Sequence, residues 1–155
     1  MTKINARAKG QTGEREVADM LNGAVFRATG VYGDFKRNLQ QTQDGGFDLF
    51  SEVFPFFAFE VKRVEALTPG LLEKFWEQAT RQVATATTMT SRGTGAYLPV
   101  LIYRRNRNPW RVRTYGSLVW CTKSLVIDVS QADFLHWFEE QIRKVQEKRV
   151  VKAGG

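Results

Sequence analysis

Apolar positions first recur at helical spacing. Val17, Met20, Leu21 and Ala24 predict a helix from about Thr12, with Asn22-Gly23 supplying a stop. Residues 1–11 carry Lys3, Arg7 and Lys9 without an acid and read as a loose basic lead-in. Ala24 to Arg27 reads as a short strand, and Gly30 to Gly46, rich in Gly, Gln and Asn, as a long loop of the kind that often carries function. Asp48 to Glu52 and Phe57 to Arg63 read as two strands of a hairpin turning at Pro55. In the second, Phe57, Phe59 and Val61 point to one face and Glu60 and Lys62 share the other.

The clearest helix follows, with Thr68 as cap and Pro69 at its first position. Leu72, Trp76, Ala79, Val83 and Ala86 form its buried stripe, and Leu71, Phe75, Gln78 and Gln82 lie beside it. After a loop at 91–95, strands are predicted over 96–103, 110–115 and 124–129. Ser130 then caps a final helix with Asp133 at its third position and the stripe Phe134, Phe138, Ile142 and Val145. A basic tail from Lys148 reads as frayed. Helices alternating with strands, without repeat or linker, predict a single α/β domain over 1–155: a mixed central β-sheet flanked by helices.

Composition narrows the chemistry. The 155 residues suit one ordinary domain, and a net charge of +7 favours a polyanionic partner. One cysteine, Cys121, excludes an internal disulfide. With His136 the sole histidine, it also excludes a zinc site built from several Cys and His ligands, and it weakens any Ser-His-Asp or Cys-His mechanism. No apolar run approaches the roughly 18 residues of a membrane span, and the first residues lack the apolar stretch of a signal peptide. A cytoplasmic location is expected. Any catalysis would rest on carboxylates, lysine and a bound metal.

Three features carry that chemistry together. Glu60-Val61-Lys62 places a carboxylate and an ammonium on one sheet face, Asp48 lies in the preceding strand of the hairpin, and Glu14 sits near the start of the first helix. Asp48 and Glu60 offer oxygen ligands to Mg²⁺, leaving coordination positions for water and phosphate. Lys62 could orient or deprotonate the attacking water, or neutralise charge developing in the transition state. Each piece also has an ordinary reading: Glu60 and Lys62 as a solvated strand face, Asp48 as the end of a turn, Glu14 as a partner of the helix dipole.

Lys9-Gly10-Gln11-Thr12-Gly13-Glu14-Arg15-Glu16-Val17 resembles the opening motif of archaeal-type Holliday junction resolvases, a branch of the PD-(D/E)xK (restriction endonuclease-like) nucleases. Val25-Phe26-Arg27 resembles the short strand with arginine that follows in that family, Phe47-Asp48-Leu49 the metal-binding aspartate and Phe59-Glu60-Val61-Lys62 the E-x-K strand. Pro99 to Ile102 and Trp110 to Val112 resemble its last two core strands, so the likeness spans residues 9–113. It implies Glu14, Asp48 and Glu60, with the Val61 backbone carbonyl, as the metal site, Lys62 as the catalytic lysine, and Gln78 as the glutamine on the following helix. Arg15 and Arg27 would contact phosphates. Phe47 stands where many relatives have proline, and residues after Thr114 lie outside the likeness.

Arg104, Arg105, Arg107, Arg111 and Arg113 lie between Tyr103 and Tyr115 without an acid. Arg104, Arg105, Arg111 and Arg113, with Lys9 and Arg63, are candidate DNA contacts giving salt-dependent affinity that is largely blind to sequence; a solvated hairpin is the plain alternative. The function expected is Mg²⁺-dependent endodeoxyribonuclease activity, with Mn²⁺ substituting and no small-molecule cofactor. The preferred DNA is a four-way junction, whose two-fold symmetry favours a homodimer. The rivals are a nuclease for flaps, ends or duplex, and a non-catalytic nucleic-acid-binding module of the same fold. The apolar turn Phe54-Pro55-Phe56-Phe57 reads either as core or as a partner surface, Trp120, Trp137 and Phe138 mainly as core packing, and His136 as a surface residue.

Overall fold

The computed structural model describes residues 6–39, 47–89, 97–116 and 125–154. Lys3, the Ala86 side chain, the 91–95 loop, Trp120 and Cys121 lie outside the described residues. The elements run α1 (Ala6–Thr29), β1 (Lys36–Arg37), β2 (Leu49–Phe50), β3 (Phe57–Val64), α2 (Pro69–Met89), β4 (Leu98–Arg105), β5 (Arg111–Gly116), β6 (Leu125–Ser130) and α3 (Gln131–Ala153).

The six strands form one sheet in chain order. β3 and β4 are parallel, from Phe57 beside Leu98 to Val64 beside Arg105, and every other neighbouring pair is antiparallel. A parallel pair needs a long crossover, and α2 supplies it. The fold class read from the sequence, a mixed sheet flanked by helices as in restriction endonuclease-like folds, is the one observed.

Period-two alternation along β3 divides the core. Phe57, Phe59 and Val61 join Val100, Ile102 and Val112 under α1 and α3, which contribute Val17, Leu21, Ala24 and Val25, and Phe134, Phe138 and Ile142. Phe59 meets the Phe35 and Phe57 rings at centroid distances of 5.5 Å. On the other face Leu101 and Tyr103 pack against Trp76 and Ala79 of α2. Glu60 lies under that second helix, one residue out of step with the large apolar core.

Several boundaries differ from the sequence reading. The lead-in is helical from Ala6, and the strand expected at 24–27 is the last two turns of α1. Gly23 costs a helix interior about 1 kcal/mol, but Ala24 and Val25 are buried, and their burial carries the helix through. The stop comes at Gly30, where φ is 79° and the amide donates to the Phe26 carbonyl at 2.7 Å. The short strand instead lies inside the segment read as loop, where Phe35 is buried and β1 pairs with β2. α3 runs to Ala153 rather than fraying from Lys148, since nothing between them breaks a helix, and the Gly154 amide closes on the Val150 carbonyl at 3.0 Å.

The two predicted caps are present: the Leu71 amide donates to Thr68 Oγ1 at 3.2 Å and the Asp133 amide to Ser130 Oγ at 3.1 Å. The apolar turn splits, with Phe54 and Phe57 buried and Phe56 half exposed. Phe138 is core and His136 is a surface residue beside Glu140. Among the described residues no helix is long and apolar enough to cross a membrane.

Candidate active site

β2 and β3 bring the first two acids together through their register. Leu49 faces Phe59, the Asp48 amide donates to the Phe59 carbonyl at 2.9 Å, and Asp48 Oδ2 accepts from the Val61 amide at 2.7 Å. Asp48 is therefore locked onto the backbone between Glu60 and Lys62. It is 5% exposed and Glu60 is 1% exposed.

Glu60 Oε1 accepts from Lys62 Nζ at 2.8 Å and from Gln78 Nε2 at 3.1 Å, while Glu60 Oε2 is buried and takes no hydrogen bond from the described residues. Lys62 also lies over the Phe75 ring at 5.5 Å, so α2 flanks the pair with one ring and one amide. Burial lifts the Glu60 carboxyl from its ordinary 4.5 to about 7; the charges of Asp48 and Glu14 add to the rise and the Lys62 ammonium opposes it. The pocket holds more carboxylate than its single ammonium neutralises.

Glu14 faces this group from α1, and Arg37 of β1 donates to it, Nε to Oε2, at 2.5 Å with both side chains largely buried. Asp48, Glu60, Lys62 and Gln78 thus converge as the sequence implies, with Glu14 at their edge in the grip of an arginine. Among the described residues no three acids are grouped tightly enough to cage a metal by themselves. Two carboxylates are enough for Mg²⁺, which keeps several waters. Hard oxygen donors, an orphaned buried carboxylate oxygen and a deficit of positive charge fit a divalent cation.

Arg37 is the residue that sequence reasoning missed. The resemblance places an arginine on the short strand before the aspartate, and pattern reading put that strand at Val25-Phe26-Arg27. Because that stretch is helix, Arg27 instead pairs with Glu139 of α3 at 2.6 Å, about 20 Å along α1 from Glu14. The arginine-bearing strand beside the site is Lys36-Arg37. No local signal marked it: two charged residues, Lys36 and Arg37, follow Phe35, so the segment lacks the alternation that identifies a strand.

The other basic candidates divide. Lys9 pairs with Glu65 at 2.8 Å, and Arg105 donates to the Glu65 carbonyl at 3.2 Å. Arg63 and Arg104 both reach Glu16, at 3.5 and 2.7 Å, and Arg104 stacks over Trp110 at 4.4 Å. These four form a patch where β3 and β4 end. Arg15 is exposed and lines a groove with Lys36 and Arg37. Arg111 is exposed and reaches the Tyr103 hydroxyl. Arg113 is not presented to solvent: its side chain is 11% exposed and bridges Glu73 at 2.6 Å and Asp128 at 2.9 Å, and Tyr103 donates to the same Asp128 at 2.8 Å.

A family model described as "Phage putative PDDEXK endonuclease" matches residues 5–150. No curated protein and no solved structure matches the chain.

Proposed function

The chain belongs to this phage PDDEXK endonuclease family and is a nuclease by that membership, and from that premise we propose that it hydrolyses DNA phosphodiesters with a divalent cation at Asp48 and Glu60. The observation that carries the reading is the assembly of the buried Asp48 and Glu60 with the half-buried Lys62 in one cluster that is short of positive charge. Asp48 and Glu60, with the Val61 carbonyl, would hold Mg²⁺, and Mn²⁺ would substitute. The ion supplies Lewis acidity at the phosphate when bound.

The chain's own groups do the remainder. Lys62 orients the attacking water and offsets negative charge that grows on the phosphoryl oxygens in the transition state. Gln78 holds Oε1 of Glu60 and leaves Oε2 without a hydrogen bond among the described residues. Glu14 orients the Arg37 guanidinium, which is suited to grip a backbone phosphate beside the cut. Arg15 and Lys36 continue that positive edge.

Within this activity a four-way junction is the preferred substrate, on the resemblance of Lys9 to Val17 and the two acid motifs to junction resolvases, and two symmetric cuts call for a homodimer. A module that binds without cutting has no need of an intact Asp48–Glu60–Lys62 set. Glu60→Gln keeps the shape of the pocket and removes its charge. It should abolish metal-dependent cutting of labelled DNA while DNA affinity stays within about threefold, less than 1 kcal/mol. Cutting that survives the substitution would place the chemistry elsewhere.

A further inference from the structure

We propose that Asn22 is a positioning residue for catalysis, acting through Arg37. The proposal rests on the reading of Arg37 as a phosphate contact and identifies what holds that arginine in place.

β1 is two residues long, and among the described residues its ladder with β2 is two pairs, continued by one bond from the Asn38 amide to the Asp48 carbonyl at 2.9 Å. So short a strand has little backbone pairing to define it. α1 holds it from the other side at two points. Asn22, 6% exposed, donates from Nδ2 to the Phe35 carbonyl at 2.9 Å and accepts the Phe35 amide on Oδ1 at 2.7 Å. One side chain thus satisfies both backbone groups of the residue that precedes β1, as a neighbouring strand would. Eight residues earlier on the same helix, Glu14 takes Arg37.

Alternation makes the first point control the second. Phe35 and Arg37 are two residues apart in extended chain and point the same way, Phe35 into the core under α1 and Arg37 to Glu14. Rotating or shifting the backbone at Phe35 carries Arg37 with it. The approach is also close: the Gly33 amide bonds the Asn22 carbonyl at 3.3 Å, and a Cβ on Gly33 would lie 2.6 Å from Asn22 Oδ1. An asparagine inside a helix is a poor choice on propensity, so a tertiary role explains it better than a local one. Both of these Asn22 side-chain hydrogen bonds go to the Phe35 backbone, so its effect passes through the backbone.

The test is Asn22→Asp, which keeps the size and the acceptor but turns the donor facing the Phe35 carbonyl into a second acceptor. Two readings are taken on the full chain, with melting temperature alongside. Hydrogen exchange of the Arg37 Nε–H, followed by NMR without metal, should quicken by about tenfold or more as the ion pair with Glu14 loosens. With DNA and Mg²⁺, kcat should fall by about 10- to 100-fold with KM little changed, the scale of a misplaced positioning group. In an Arg37→Ala background Asn22→Asp should change kcat by less than about twofold, because the group it positions is gone.

Unchanged Arg37 exchange, or an equal loss of kcat with and without Arg37, would overturn the proposal. If Asn22→Asp melts below the assay temperature, Gly33→Ala, which presses on Asn22 Oδ1 from outside, and Asn22→Ala, which favours the helix, take the same readings. A wild-type protein that cuts no DNA would reject the nuclease reading instead, and the exchange of Arg37 alone would then decide the role of Asn22.

Discussion

A carboxylate that is 1% exposed, faces Asp48 and Glu14 and has one ammonium beside it binds its proton more tightly in the folded chain than in the unfolded one. Because the folded value for Glu60 is raised, the stability it contributes is fully present below pH 4.5 and is lost as the pH climbs through about 7. In EDTA the melting temperature should therefore decline between about pH 5 and pH 8 more steeply than in Glu60→Gln, with up to about 3 kcal/mol separating the two at the upper end. Melting curves of both proteins across that range check it; parallel declines would mean that Glu60 ionises freely. Mg²⁺ should flatten the wild-type decline, since a cation held by Glu60 and Asp48 offsets the buried charge that ionisation of Glu60 creates. These residues were legible in the sequence because alternation alone puts Glu60 and Lys62 on one strand face and a short turn puts Asp48 opposite. Arg37 and Asn22 were not. Their meaning depends on the packing of α1 against a two-residue strand, and no local pattern encodes it.

At the scale of elements, the strands and helices that bury apolar residues were readable to within a few residues, as β3, α2, β4 and β5 show, and the apolar run of β6 was readable although that strand has no fully buried residue. The misreadings cluster where tertiary burial overrides a local signal: Asn22-Gly23 reads as a stop, yet Ala24 and Val25 are core. The same principle reassigns an arginine. Alternation puts Arg111 and Arg113 together as DNA contacts, but Arg113 ties the first turns of α2, through Glu73, to β6, through Asp128. Arg113→Ala should cost about 1 to 2 kcal/mol of stability, discounted for the exposure of Glu73, because it strands Asp128 beside the buried Tyr103. Denaturant unfolding measures the loss, and DNA affinity should hardly move. Ser130→Ala, which removes the cap of α3, should cost about 1 kcal/mol in the same experiment. If Arg113→Ala weakens DNA binding and leaves stability unchanged, the bridging role is wrong.

Among the described residues several basic side chains are committed to internal pairs, at Glu16, Glu65, Glu73, Asp128 and Glu139, and the net charge of +7 is what the acids leave uncompensated. Long-range attraction for DNA survives such pairing, while close phosphate contact falls to groups with an exposed face, Arg15 foremost beside the site. Replacing Arg15 with alanine should lower the slope of log affinity against log salt by about 0.9, one phosphate's worth; titrations from low to moderate salt measure it, and an unchanged slope would remove Arg15 from the interface. The central claim is metal-dependent DNA hydrolysis, and it is tested most directly by incubating the purified protein with end-labelled DNA in Mg²⁺ and in EDTA. The substrates are a four-way junction, a flap, a splayed arm and a linear duplex of matched sequence. The account predicts cutting in Mg²⁺ alone, with paired symmetric nicks at the junction. Cutting that persists in EDTA, or none on any substrate despite tight binding, would contradict it.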